Sequence, residues 1–179
     1  MLIVIGWVII RGSAKNNKDY SESTDNDSIE PRSPNDFEAK LDQISKKLGI
    51  PREWIARTIQ LESRGNPKAK NKSSSAYGLL QWTTARLKDI GVTLADLKNM
   101  DAIEQLDVVF KTYYPYRNKV NSIYDAYLVV FYPAALGKPD TYQIGGSAEY
   151  QGNKLLDTRY GNNDGKLTVA DVKKWVDKG

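Results

Sequence analysis

The sequence predicts a mostly α-helical domain carried on an N-terminal apolar segment and a flexible tether. Apolar residues recur at helical spacing from Asn35 onward, and glycine and proline stand where the apolar stripes stop. No stretch shows the apolar/polar alternation of a half-buried strand. The 179 residues suit one domain of ordinary size with an appendage.

In chain order, residues 1–11 form an apolar segment ending at Arg11. As a helix, its first ten residues would reach about 15 Å, half of a bilayer's hydrocarbon core. A short membrane anchor through residues 1–10 is the favoured reading. An atypical export signal lacking a basic start, and an element docking on another protein, are the alternatives. Residues 12–34 are rich in Ser, Asn and Asp and hold almost nothing that could enter a core, which predicts a disordered tether.

The predicted body, residues 35–152, opens with Phe37, Leu41, Ile44 and Leu48 on one helical stripe that Gly49 can terminate. Pro51 suits the first turn of a second helix, which runs to about Ser63 before Gly65. Further helical patterns cover roughly 83–90, 93–99, 102–114 and 121–131. Gly and Pro punctuate 133–153, and a last helix spans about 169–177 within a terminal loop-helix segment, residues 153–179.

Composition narrows the chemistry. The chain has no histidine and no cysteine. Serine-histidine triads, thiolate nucleophiles, imidazole metal sites, structural zinc and disulfides are therefore excluded. Any catalysis must rest on carboxylates, tyrosines, lysines, hydroxyls or a hard metal ion. The net charge is +4; residues 1–34 hold four basic and five acidic residues, so the excess lies in the body. Such an excess mildly favours an anionic partner, or is simply a solvated surface. Basic residues alternate with acids and no nucleic-acid motif occurs, so no nucleic-acid partner is expected.

The second helix holds the sharpest feature. Ile55, Ile59 and Glu62 stand at i, i+4 and i+7, which puts a carboxylate inside the apolar arc. A carboxylate there is costly to bury ionised, so it is paired, it reaches solvent, or its pKa is raised. A raised pKa is what a general acid needs near neutral pH.

The residues after it read Glu62-Ser63-Arg64-Gly65-Asn66-Pro67-Lys68-Ala69, then Ala76-Tyr77-Gly78-Leu79-Leu80-Gln81. This resembles the lytic transglycosylase family with the goose-lysozyme-like fold, whose pattern is Glu-Ser, Asn-Pro-x-Ala and Gly-Leu-(Leu/Met)-Gln. The resemblance implies a lysozyme-like helical domain that cleaves the β-1,4 bond between N-acetylmuramic acid and N-acetylglucosamine in peptidoglycan. It implies Glu62 as the proton donor, Ser63 as its orienting neighbour, and Gly78, Leu79 and Gln81 as lining of the glycan groove. A third family element, Ala-Tyr-Asn-Ala-Gly, is kept only as Ala126-Tyr127. Tyr127 is a candidate for holding the acid or the sugar, and equally for core packing.

A two-carboxylate glycosidase needs a partner for Glu62. No acidic residue lies between Glu62 and Asp89, and Asn71 stands where the phage-type lysozyme arrangement has an Asp. Only a distant Asp (Asp96, Asp101, Asp107 or Asp125) could fold into the cleft. Intramolecular transfer, with the muramoyl 6-hydroxyl as nucleophile, therefore ranks above hydrolysis by a lysozyme of the same fold. No cofactor is required for that chemistry.

The terminal segment resembles an EF-hand or dockerin loop. With Gly165 at position 6, Asn162, Asp164 and Asp171 fall at ligand positions, Lys166 offers its carbonyl, and Thr168 stands at position 9. Position 1 is Tyr160 instead of Asp, and Asp157 would substitute if the loop bulged. The expectations are a structural calcium or a plain turn followed by a threonine cap. The leading expectation overall is a peptidoglycan-degrading enzyme of the bacterial cell envelope, periplasmic or membrane-anchored, or of a phage virion. A non-catalytic glycan-binding or structural component, meeting phage or envelope assembly partners, is the alternative.

Overall fold

The structure is a computed structural model that describes residues 34–71 and 74–179. The apolar segment and tether expected at residues 1–33 lie outside the described residues. Among the described residues no helix is long and apolar enough to cross a membrane, and the regular elements are all helical.

The described residues form eight α-helices in order: α1 (Pro34–Leu48), α2 (Arg52–Ser63), α3 (Thr84–Asp89), α4 (Leu94–Asn99), α5 (Ala102–Tyr113), α6 (Ile123–Phe131), α7 (Ser147–Leu155) and α8 (Val169–Lys178). Local chemistry sets most of their starts. Thr93, Asp101 and Thr168 each accept a backbone N–H three residues on, and the acid at that third position, Asp96, Glu104 or Asp171, bonds back. Thr83 and Ser122 cap α3 and α6 with their hydroxyls. α7 is the element the sequence reading missed. Its neighbourhood of Gly145, Gly146 and Gly152 suggests a loop, yet Glu149 accepts the Gly146 N–H at 2.7 Å, and Asn153 and Leu156 on the same side are buried.

Two apolar clusters hold the molecule together. The first joins α1 through Leu41, Ile44 and Leu48 to Ile55 and Ile59 of α2, Leu106 and Val109 of α5, and Ala126 and Val129 of α6. The second gathers Tyr127, Leu128 and Phe131 of α6 with Ile144, Leu156, Leu167 and the Val172, Trp175 and Val176 face of α8. α6 has a mean character apolar enough to serve both, and its opposite faces form the wall between them. Each fully buried Leu or Ile contributes about 1.5–3 kcal/mol, so these clusters dominate the stability. Exposed pairs such as Lys40–Asp107, 2.7 Å, add well under about 1 kcal/mol each.

The consequence for the site is the placement of α2. α1 packs on one side of it and α6 on another, with α5 packed against both α1 and α6, and α8 is tied to it where Arg57 Nη2 donates to the Val176 carbonyl at 2.8 Å. The last turn of α2 therefore ends against α6, with its Glu62 facing inward.

Candidate active site

Glu62 sits in the last turn of α2, one residue before the helix ends. Arg64 adopts the left-handed conformation (φ 56°) and its N–H closes on the Gln60 carbonyl, so the chain turns sharply away from the helix. Glu62 is half-buried, but its carboxyl is desolvated by the surrounding apolar residues. That desolvation raises its pKa from 4.5 to about 8, offset in part by a side-chain hydrogen bond from Tyr127. At neutral pH Glu62 is thus mostly protonated while still reachable from solvent. No carboxylate is among the groups that perturb it.

Tyr127 comes from α6 and is 1% exposed. Burial, then the charge and hydrogen bonding of Glu62, push its hydroxyl pKa well up, so it stays a proton-bearing donor. Tyr113 of α5 is buried too and its hydroxyl donates to the Ala126 carbonyl at 3.0 Å. Its pKa is raised chiefly by burial, with Glu62 adding a further upward push. The structure thus brings Glu62 and Tyr127 together, and adds Tyr113, which the sequence reading did not single out.

Ser63 is placed differently. It is buried, and its hydroxyl donates back to the Ile59 carbonyl at 3.2 Å, within its own helix. Gly78, Leu79 and Gln81 form a turn laced to the segment that follows α2. The Gly78 N–H meets the Ala69 carbonyl at 2.9 Å, and Gln81 Nε2 donates to the carbonyls of Ala69 and Gly78 at 3.1 and 3.0 Å. Leu79 is fully buried and its N–H donates to Gln105 Oε1 at 2.9 Å. Gln105 in turn donates to the Pro67 carbonyl at 2.8 Å, clamping both sides of the loop. Gln105 is a second residue that sequence reasoning missed. The signal was present, because Gln105, Val109 and Thr112 share one helical face, as Ile55, Ile59 and Glu62 do.

A side chain at Gly78 would be strained. Its φ is +80°, and a Cβ would stand 2.6 Å from Gln105 Oε1, the acceptor of the Leu79 N–H. Gly78→Ala is expected to destabilise the protein by about 2–4 kcal/mol through backbone strain and the lost clamp. Urea unfolding checks this; a loss below about 1 kcal/mol would mean that the loop relaxes around the methyl group.

The terminal loop places its expected calcium ligands as follows. Asn162, Asp164 and Lys166 are exposed, while Asp171 is buried. Asp171 accepts the Thr168 N–H and hydroxyl at 2.9 and 2.7 Å, as the cap of α8. Asp164 accepts from Asn162 Nδ2 and from the Lys166 N–H, both at 3.0 Å. Asp157, fully buried, accepts the N–H groups of Asp164 and Gly165 at 3.1 and 2.9 Å and the Tyr150 hydroxyl at 3.0 Å. These carboxylates are oriented by backbone N–H groups. Among the described residues no group of three or more acidic side chains is arranged to hold a metal ion.

The four aspartates that could have joined Glu62 are engaged elsewhere. Asp96 and Asp101 cap α4 and α5, Asp107 pairs with Lys40, and Asp125 accepts from Asn121 and Ser122.

No curated protein and no solved structure matches the chain. Residues 40–107, which run from within α1 through α2, the clamped loop, α3 and α4 to the middle of α5, match the model of the Transglycosylase SLT domain, and this match supports a peptidoglycan-acting, glycan-cleaving protein of the lytic transglycosylase type.

Proposed function

We propose that this protein is a peptidoglycan lytic transglycosylase in which Glu62 is the single catalytic carboxylate. One observation carries the reading: a reachable carboxyl whose pKa is raised to about 8 by desolvation, with a tyrosine and no second carboxylate as its perturbing partner. A group that is protonated at neutral pH and flanked by a hydrogen-bond donor can give up its proton and be supported as the anion left behind.

The reaction follows in two proton transfers. Protonated Glu62 donates to the glycosidic oxygen as the bond from C1 of N-acetylmuramic acid breaks, and N-acetylglucosamine leaves as the free 4-hydroxyl. Positive charge develops at C1, as in other glycoside cleavages. The Glu62 carboxylate then takes the proton of the muramoyl 6-hydroxyl, whose oxygen bonds to C1 and closes a 1,6-anhydro ring. Glu62 ends protonated, ready for the next bond, and no water is consumed. Tyr127 stabilises the carboxylate between the two transfers. Gly78, Leu79 and Gln81 shape the groove wall through their backbone turn, held by Gln105.

The test is digestion of purified peptidoglycan with mass spectrometry of the released muropeptides. Products 18 Da lighter than their hydrolysed counterparts, which is one water, are expected. Products with reducing ends would mean that water is the nucleophile and the protein is a lysozyme. An absence of products would overturn the enzyme reading in favour of a glycan-binding component.

A further inference from the structure

Helix α8 lies outside the matched segment, yet it reaches the acid through a single intermediary. Trp175 Nε1 donates to the Tyr127 hydroxyl oxygen at 3.1 Å, in a buried contact. The Tyr127 hydroxyl in turn faces the Glu62 carboxyl, whose proton affinity it lowers. An indole N–H is only a donor, whereas a phenol hydroxyl has one proton and can accept. With the indole proton aimed at the Tyr127 oxygen, the phenol proton must point elsewhere, and Glu62 is the acceptor in reach.

From this geometry we infer that Trp175 is a positioning residue that fixes the direction of the Tyr127 proton toward Glu62, making the relay run Trp175 to Tyr127 to Glu62. The inference rests on Glu62 being the proton donor proposed above. Trp175 is buried and acts through Tyr127. Hydrogen bonds in such a chain polarise one another, so the indole makes Tyr127 a stronger donor to the Glu62 carboxylate.

The rest of the C-terminal region holds this indole in place. Tyr160 packs edge-on against it, with ring centroids 5.0 Å apart at 67°. Arg57 fastens α8 to α2 one residue further on, at the Val176 carbonyl. The Thr168–Asp171 capping box fixes where α8 begins, and Trp175 follows two turns later on the buried face. Asp157, through its bonds to Asp164 and Gly165, sets the loop that delivers the cap. In this arrangement the segment that resembles an EF-hand loop registers α8 so that one N–H meets the tyrosine.

The titratable groups facing Glu62 are Tyr127 from α6 and Tyr113 from α5. Losing the indole N–H weakens the donor to the Glu62 anion and raises the carboxyl's apparent pKa. The experiment replaces Trp175 with β-(3-benzothienyl)alanine in the full chain, which keeps the shape and exchanges the N–H for sulfur; Trp175→Phe is the genetic counterpart. The Glu62 carboxyl carbon is followed by NMR across pH 5–10 in wild type and in both variants. An upward shift of the midpoint by about 0.5–1 unit, a three- to tenfold change in ionisation, is expected. In a Tyr127→Phe background the same replacement should produce no shift, because the relay's middle member is gone. An unchanged midpoint in the benzothienyl variant, or an equal shift with and without Tyr127, would overturn the inference. The NMR titration decides this whether or not peptidoglycan is cut, so failure of the relay and failure of the enzyme reading are separate results. Where cleavage is measured, the benzothienyl variant should lose kcat about tenfold with KM nearly unchanged.

Discussion

Glu62→Gln should abolish muropeptide release, lowering the rate about 10³-fold or more, with the fold intact at neutral pH. Glutamine matches the shape of a protonated glutamate and is uncharged like it, so the cavity that holds Glu62 in its acid form accepts the amide without a new buried charge. What is lost is a proton that can be given up, and a general acid contributes about 10²–10⁴-fold by itself. Here the same group is also the base of the second step, so the loss should lie at the upper end. Circular dichroism and muropeptide counts on the same sample check this. A variant that retains more than about a tenth of the wild-type rate would remove Glu62 from the chemistry. The wild-type pH profile supplies the companion result: Glu62 must be protonated to act, so activity should persist below its pKa of about 8 and fall as pH rises through it.

The same substitution should change the pH dependence of stability, and the sign is opposite to that of an ordinary surface glutamate. Unfolded Glu62 titrates near 4.5 and folded Glu62 near 8. Below about pH 4.5 both states hold the proton, and the residue adds no pH dependence. Between 4.5 and 8 the unfolded chain releases a proton that the folded chain keeps, so stability falls as pH rises. Above about 8 the folded state ionises as well and the cost is constant. At about 1.4 kcal/mol per unit, the full cost is on the order of 3–5 kcal/mol. Glu62→Gln removes it. Urea unfolding of wild type and variant at pH 4, 6 and 9 should therefore give curves that nearly coincide at pH 4 and separate by about 3–5 kcal/mol at pH 9, with the variant the more stable. Parallel curves would mean that the carboxyl is not desolvated. A residue that costs stability where it functions fits an active-site acid better than a structural one.

Trp175 and Gln105 show where reading the chain stops. Both stand on apolar helix faces, and both are buried. Their polar atoms matter because of partners 48 and 26 residues away, Tyr127 and Leu79. Helical periodicity reports which face turns inward; it carries no information on what waits there. Glu62 was legible for the complementary reason. A charge among Ile55 and Ile59 is anomalous in any fold, so its cost can be read before its neighbours are known. α7 was missed because its glycines lower its intrinsic propensity and only packing restores it.

By itself the sequence determined that the body is helical, where most of its helices begin and end, and that one glutamate falls within an apolar helix arc, followed along the chain by Gly-Leu-Leu-Gln. It also excluded histidine and cysteine chemistry outright. These are local matters, set by periodicity, capping side chains and composition. Only the tertiary structure decided that Tyr127 meets Glu62, that the candidate aspartates are engaged as caps and pairs, and that Trp175 of α8 meets the Tyr127 hydroxyl. Those facts depend on which helices pack together, and desolvation of a carboxyl is a property of everything that surrounds it.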